Sequence, residues 1–384
     1  MSDERPSGGA RTPPPASAGG AGRVVSVDVL RGFVMFWLIG GQAVARAAAE
    51  RWDGGTGRWL ARQLTHVPWE GGTFWDLIMP LFLFVTGVSI PLALGRRRSR
   101  GDSMARMHGA IARRVLILFV LGMVAQGHLL DFSLARLAIF SNTLQAIAAG
   151  YLVAALAFLH VEMRGRIVLF LALLLGYGVL LLWAPTPGYG AGVLTPEGNW
   201  AMWVDRMVLG RFRDGTQYTW LITSMGFGAT VLLGTFAGSR LPSGVSVRRA
   251  ATEFLGAGAV LIAAGWLWGY SLPIIKPIWS SSFILWSGGW CLVFLGAFHG
   301  IVEAAGFRRW AAPFQVVGAN ALVAYMLVET PGFRSAWRQM SDALLHGLYP
   351  RIGAWTPVAQ EAGILALIFL ALLWMYRKKC FVKI

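Results

Sequence analysis

Ten apolar runs recur along this chain, each close to the twenty or so residues that a helix needs to cross the hydrocarbon core of a bilayer. They cover 27–49, 74–95, 111–129, 140–160, 165–184, 218–238, 251–270, 279–303, 313–330 and 361–377. In hydrocarbon the backbone must satisfy its own hydrogen bonds, so a spanning segment is a helix or part of a closed barrel. Runs of this length and unbroken apolar character select helices. The expected fold is all-α: a polytopic transmembrane helical bundle of about ten spans. Composition agrees, since only 14% of the 384 residues are charged and the mean hydropathy is +0.57, whereas a soluble domain carries nearer a quarter charged residues.

The net charge of +16 would suit a nucleic-acid partner. That reading fails because the basic residues stand in short clusters between apolar runs, where they set topology. An even number of spans puts both termini on one side of the membrane. That side collects 21 of the 34 Lys and Arg residues, including Arg96-Arg97-Arg98 and Arg377-Lys378-Lys379, and the opposite side 11. The positive-inside rule then places both termini in the cytoplasm. Residues 1–23 are rich in Gly, Pro, Ala and Ser and lack the apolar core of a signal peptide. They are expected to be a disordered tail ahead of a transmembrane domain covering 24–384. Cys291 and Cys380 make neither a disulfide framework nor a metal site. No internal repeat stands out, which weighs against a transporter built from repeated halves.

His66 lies in Leu64-Thr65-His66-Val67-Pro68-Trp69-Glu70-Gly71-Gly72, a polar loop between the first two runs and, in this topology, on the outer face. An imidazole titrates near neutrality, which suits proton abstraction from an amine or hydroxyl, or transient acylation. A solvated interfacial histidine is the plain alternative. Asp76, ten residues on, suits orienting that imidazole, or simply facing the dipole at a helix start. Asp28 and Arg31 share one helix face near the inner end of the first span and neutralise each other, as a structural pair or as part of a site. Asn142, Gln145 and Asn320, with Gln42 and Glu329, are polar groups at span edges that need partners in hydrocarbon. Together they point to an interior polar cavity, although each also suits a bridge between two helices. Lys276 precedes Ser280-Ser281-Ser282 at a helix start, an arrangement suited to a phosphate or carboxylate, or to a cation snorkelling at the interface. His128 is the other histidine at the outer edge. The six histidines show no ligand spacing, so no metal is expected. The loop 185–217 reads as compact and turn-rich, with helical spacing over 200–209.

Ser26-Val27-Asp28-Val29-Leu30-Arg31-Gly32 resembles the opening of the heparan-α-glucosaminide N-acetyltransferase family and its bacterial relatives. The likeness continues through His66-Val67-Pro68-Trp69-Glu70-Gly71 and Asp76-Leu77-Ile78-Met79-Pro80-Leu81-Phe82-Leu83-Phe84. It goes on through Pro187-Gly188-Tyr189-Gly190, Leu194-Thr195-Pro196-Glu197-Gly198-Asn199, Asp205-Arg206, Lys276-Pro277-Ile278-Trp279-Ser280-Ser281-Ser282, Gly318-Ala319-Asn320-Ala321 and Tyr376-Arg377-Lys378-Lys379-Cys380-Phe381. The resemblance implies a membrane-embedded acetyltransferase of the bacterial inner (cytoplasmic) membrane. It would move an acetyl group from cytosolic acetyl-CoA to an amino or hydroxyl group of a sugar or glycan on the outer side. It places the family's active histidine on His66; Asp76, from its own chemistry, is the expected second catalytic residue. Asp28, Arg31, Trp69, Asn142, Gln145, Lys276, Ser281 and Asn320 are the expected substrate- and donor-binding residues. It also implies a homodimer. Two departures stand out: Ile139-Phe140-Ser141-Asn142-Thr143-Leu144-Gln145-Ala146 replaces the family's Ile-Pro-Gly-Val-Leu-Gln-Arg, and Gln217-Tyr218-Thr219-Trp220 replaces its Asp-Pro-Glu-Gly. The alternative is a transporter or exporter of a polar or lipid-linked sugar that uses the same cavity without acyl chemistry; a third is an inactive relative serving as an assembly partner.

Overall fold

The structure, a computed structural model, describes residues 24–382; the tail expected over 1–23 lies outside the described residues. In chain order the helices are α1 Val25–Phe36, α2 Gln42–Ala49, α3 Gly55–Gln63, α4 Ile78–Ser99, α5 Met104–Ala125, α6 Thr143–His160, α7 Met163–Trp183 and α8 Trp200–Leu209. They continue with α9 Ser224–Arg240, α10 Val247–Trp268, α11 Ser281–His299, α12 Ala312–Ala319, α13 Ala321–Glu329, α14 Phe333–Leu345, α15 Tyr349–Ile352 and α16 Thr356–Arg377. A single two-residue strand pair, Pro185–Thr186 with Gly190–Ala191, folds the loop after α7 into a hairpin among the described residues. Helix starts follow the sequence: Ser103, Asn142, Asn199, Ser246 and Ser280 each accept a hydrogen bond from a backbone N–H of the first turn, replacing a partner the helix cannot supply.

Eight helices among the described residues are long and apolar enough to cross a membrane. Arg309–Ala319 and Ala321–Glu329, bent by 67° at Asn320, make a ninth if counted as one broken span. The run expected to span over 218–238 differs. Its helix, α9, starts only at Ser224 and has 17 residues. The delay has a physical cause. The carboxylate of Asp205 accepts from the backbone N–H groups of Trp220 (2.7 Å) and Leu221 (3.1 Å), and the N–H of Thr219 donates to the carbonyl of Pro277 (3.1 Å). Those three N–H groups are held outside any helix.

The bundle has a central layer and a peripheral one. α4, α9 and α11 are buried along most of their length, whereas α5, α7, α10 and α16 carry exposed apolar side chains such as Leu116, Val168, Val260 and Leu370. Small residues bring the central backbones together. A Cβ on Gly87 of α4 would lie 2.0 Å from the carbonyl oxygen of Val231, and one on Gly234 of α9 would lie 2.2 Å from that of Phe84. Between α1 and α2 the chain makes a π-turn over Trp37–Gly41, where Gly40 adopts φ 146°. Such π-turns re-aim the residues that follow, and here Gln42 reaches the carbonyl of Leu64 at 2.6 Å.

Candidate functional site

The loop after α3 is tied down along its length. The Thr73 hydroxyl shares its one proton between the carbonyl of Thr65 (2.8 Å) and Asp76, the N–H of Phe74 donates to the Gln63 side chain (3.1 Å), and the Trp69 indole N–H donates to the carbonyl of Leu194 (2.8 Å). Glu70 bridges to Ile275, and the N–H of Gly71 donates to the carbonyl of Ile274 at 2.8 Å. This last clip places the residue after Ile275 beside His66.

At the centre, Nδ1 of His66 is 2.6 Å from Oδ1 of Asp76. The other oxygen, Oδ2, accepts from the Thr73 hydroxyl (2.9 Å), the Thr73 N–H (3.1 Å) and the Val67 N–H (3.4 Å). Lys276 Nζ stands 3.3 Å from Asp76 Oδ1 and 3.2 Å from His66 Nδ1. Asp76 is 1% exposed and Lys276 4%. A carboxylate only accepts, so the short contact to Oδ1 requires the proton on Nδ1. The lysine ammonium then belongs with the carboxylate, and in the neutral ring the lone pair lies on Nε2. The His66 side chain is 45% exposed and lies against Trp75, with the ring centroids 5.8 Å apart. Burial pushes the Lys276 ammonium down to about 8, against the pull of Asp76 in the other direction.

His66 and Lys276 open onto a cavity of about 430 Å³. Trp75, Tyr218 and Trp220 give it an aromatic wall, and Gln42, Gln126, Asp214, Glu329 and Arg334 give it polar edges. Its lining comes from the His66 ends of the helices. This geometry suits abstraction of a proton by Nε2 while Asp76 and Lys276 steady the ring. Among the described residues, no three His, Cys, Asp or Glu side chains gather as a metal-ligand group.

The other expected residues divide. Asn142 and Gln145 sit at the start of α6 against the cavity wall: Asn142 accepts from the Tyr325 hydroxyl (3.1 Å), and Tyr325 lines the cavity. Trp69 holds the His66 loop to Leu194. Asp28 and Arg31 are elsewhere. They pair at 3.3 Å, and Arg31 reaches Ser89 at 2.9 Å, 13 residues past Asp76 and so roughly 20 Å away along a helix. Asn320 is also remote, bonded to the carbonyl of Cys380 (3.0 Å) and the N–H of Val382 (3.1 Å), where it pins the C-terminal segment to the bend. Ser281 donates to the carbonyl of Leu174 at 2.7 Å. The expected anion cradle of Lys276 and the serines is therefore corrected: Ser280 and Ser282 both donate to the carbonyl of Pro273, and Lys276 points at Asp76 rather than snorkelling. Sequence reasoning misses Thr73, although its Thr-x-x-Asp spacing ahead of an apolar run is a helix-start signal. Tyr218 and Trp220 stand out in the sequence only as part of the Gln217-Tyr218-Thr219-Trp220 departure, inside an apparent span, and not as a cavity wall.

His66 and Lys276 are 210 positions apart, so a matching stretch of about a hundred residues holds at most one of them. No family model matches the chain. Over 102 residues, 27% of this chain, it is 30% identical to human heparan-alpha-glucosaminide N-acetyltransferase, spanning 13% of that protein's length. The chain is thus a distant relative of that N-acetyltransferase.

Proposed function

We propose that the chain is a membrane-embedded acetyltransferase that moves an acetyl group from acetyl-CoA to an amino or hydroxyl group of a sugar or glycan. The observation that carries this reading is the His66–Asp76 pair on a cavity wall, with Nε2 left to act as a base. The distant likeness to an N-acetyltransferase supports it. In the proposed topology α9 and the bent pair α12–α13 complete ten spans, both termini are cytoplasmic, and the membrane is the bacterial inner one. Acetyl-CoA approaches from the side bearing Arg96, Arg97 and Arg98, whose charges attract its phosphates. The sugar meets His66 from the outer side. Between the two ends lie Phe33, Trp37, Phe74 and Phe294, packed edge-on or tilted against one another, so the acyl arm enters by parting these rings beside the π-turn at Trp37–Gly41. The protein acts as a homodimer, which sedimentation of the purified protein in detergent tests.

Membranes containing the protein are incubated with labelled acetyl-CoA, and the product that gains label is identified. His66→Ala is expected to lower transfer by at least about 100-fold, the usual scale of a lost general base, while the protein still folds and melts cooperatively. Wild-type transfer by purified His66→Ala protein refutes the assignment. Sugar export without any labelled product instead identifies a transporter.

A further inference from the structure

α6 begins at the cavity wall with two polar side-chain atoms that nothing in the protein satisfies. Ser141 and Thr143 line the cavity, and Asn142 between them caps the helix. The orientation of the Asn142 amide is fixed by its partners. Its Oδ1 accepts from the N–H of Leu144 (2.7 Å) and from the Tyr325 hydroxyl (3.1 Å), which leaves the NH2 group at the other end. That Nδ2 is buried without a partner, and so is the Oγ of Ser141. Ser141 is 7% exposed and Asn142 1%. A buried donor left without a partner is costly, and native proteins keep few of them.

The backbone that carries the two groups is held firmly. The N–H of Ser141 donates to Oε1 of Gln145 at 2.9 Å, and the Gln145 amide donates in turn to the carbonyl of Ile139. This reciprocal arrangement resembles a capping box. The N-terminus of the 18-residue α6 adds positive potential at the same place.

We infer that the Ser141 hydroxyl, on the wall of the cavity that His66 lines, forms with the Asn142 amide buried beside it a hydrogen-bond-donating subsite for an oxygen of the bound substrate. The inference rests on the acetyl-transfer reading. Two substrate oxygens have the required chemistry: the carbonyl oxygen of the donor thioester, and a hydroxyl oxygen of the sugar. In the first case the acceptor nitrogen or oxygen attacks the thioester carbon and gives its proton to His66 Nε2. The carbonyl electron pair moves onto oxygen, where Ser141 and Asn142 donate to it. Collapse re-forms the carbonyl and breaks the carbon–sulfur bond, and the departing CoA thiolate takes the proton from His66. In the second case the pair fixes the position of the sugar.

Ser141→Ala and Asn142→Asp test this in purified protein, with acetyl-CoA as donor and glucosamine as acceptor. Neither substitution removes a protein–protein hydrogen bond. The carboxylate introduced by Asn142→Asp still offers an oxygen to Leu144 and Tyr325, and Ser141 Oγ has no partner to lose. The melting temperature of Ser141→Ala is therefore expected to match or exceed that of wild type. Its kcat is expected to fall about 10²–10³-fold with KM unchanged if the thioester oxygen is the ligand. The KM for glucosamine rises instead if the sugar oxygen is. Ser141→Thr, which keeps the hydroxyl, retains activity in both cases. Wild-type kcat and KM in both variants overturn the subsite and leave the transfer reading standing if His66→Ala is inactive. Full turnover in His66→Ala beside a loss in Ser141→Ala overturns the role of His66 and keeps the subsite. A wild-type protein that transfers no acetyl group overturns both.

Discussion

Asp76 is the residue on which the site turns, because its two oxygens serve different masters. Oδ2 is saturated by Thr73 and Val67, while Oδ1 faces His66 and Lys276 together. The lysine charge steadies that carboxylate only while the ammonium keeps its proton. With the folded-state value pushed down to about 8 by burial, the charge is lost as pH rises through that value. Turnover is expected to decline above about pH 8, and Lys276→Arg is expected to move the decline to higher pH, as a pH–rate profile will show. Stability responds in the opposite sense. Between about 8 and the ordinary lysine value of about 10.4, the unfolded chain holds more protons than the folded one, so the contribution of this group to stability grows with rising pH and is least below 8.

Among the elements, α9 shows both what the sequence discloses and what it withholds. Its apolar run is legible, and so are its small residues, which let it lie against α4. Gly234→Leu is expected to force the two helices apart and to cost about 1–3 kcal/mol or more, read as a lowered melting temperature in detergent. Where the helix begins is not legible, because Asp205 acts from 15 positions earlier. Burial raises the Asp205 carboxyl to about 6 despite the two N–H groups it accepts. Asp205→Ala leaves both N–H groups unpaired and is expected to cost about 2–5 kcal/mol, together with loss of the aromatic cavity wall. The imidazole and its carboxylate are readable for a different reason: they lie within one loop, ten positions apart. Lys276 stands out in the sequence but suggests the wrong partner, since Asp76 is reached only through the Glu70–Ile275 bridge. Asn320 and Ser281 each bond a carbonyl of their own chain, a partner the sequence does not disclose.

For the molecule as a whole, the two ends differ in chemistry. Ser26 and the end of α11 meet at one end, where the Ser26 hydroxyl is 3.0 Å from His299 and its N–H donates to Glu303, and α1 runs from there toward His66. Cys380 is exposed and Cys291 buried, which gives a clean test of orientation. In right-side-out vesicles a membrane-impermeant maleimide is expected to spare Cys380 and to label the exposed loop residue Asp53 when it is changed, Asp53→Cys. Inverted vesicles are expected to reverse the pattern. The reverse result in intact vesicles would place the termini outside.

The clip that brings residue 276 to residue 66 also sets when the site can exist. A ribosome adding about 5–20 residues per second delivers Lys276 roughly 10–40 s after His66. Through that interval the imidazole and its carboxylate wait in a nascent chain without their cation or the clip between the two loops. On the proposed function, the protein becomes competent only late in synthesis, after most of its helices have been made.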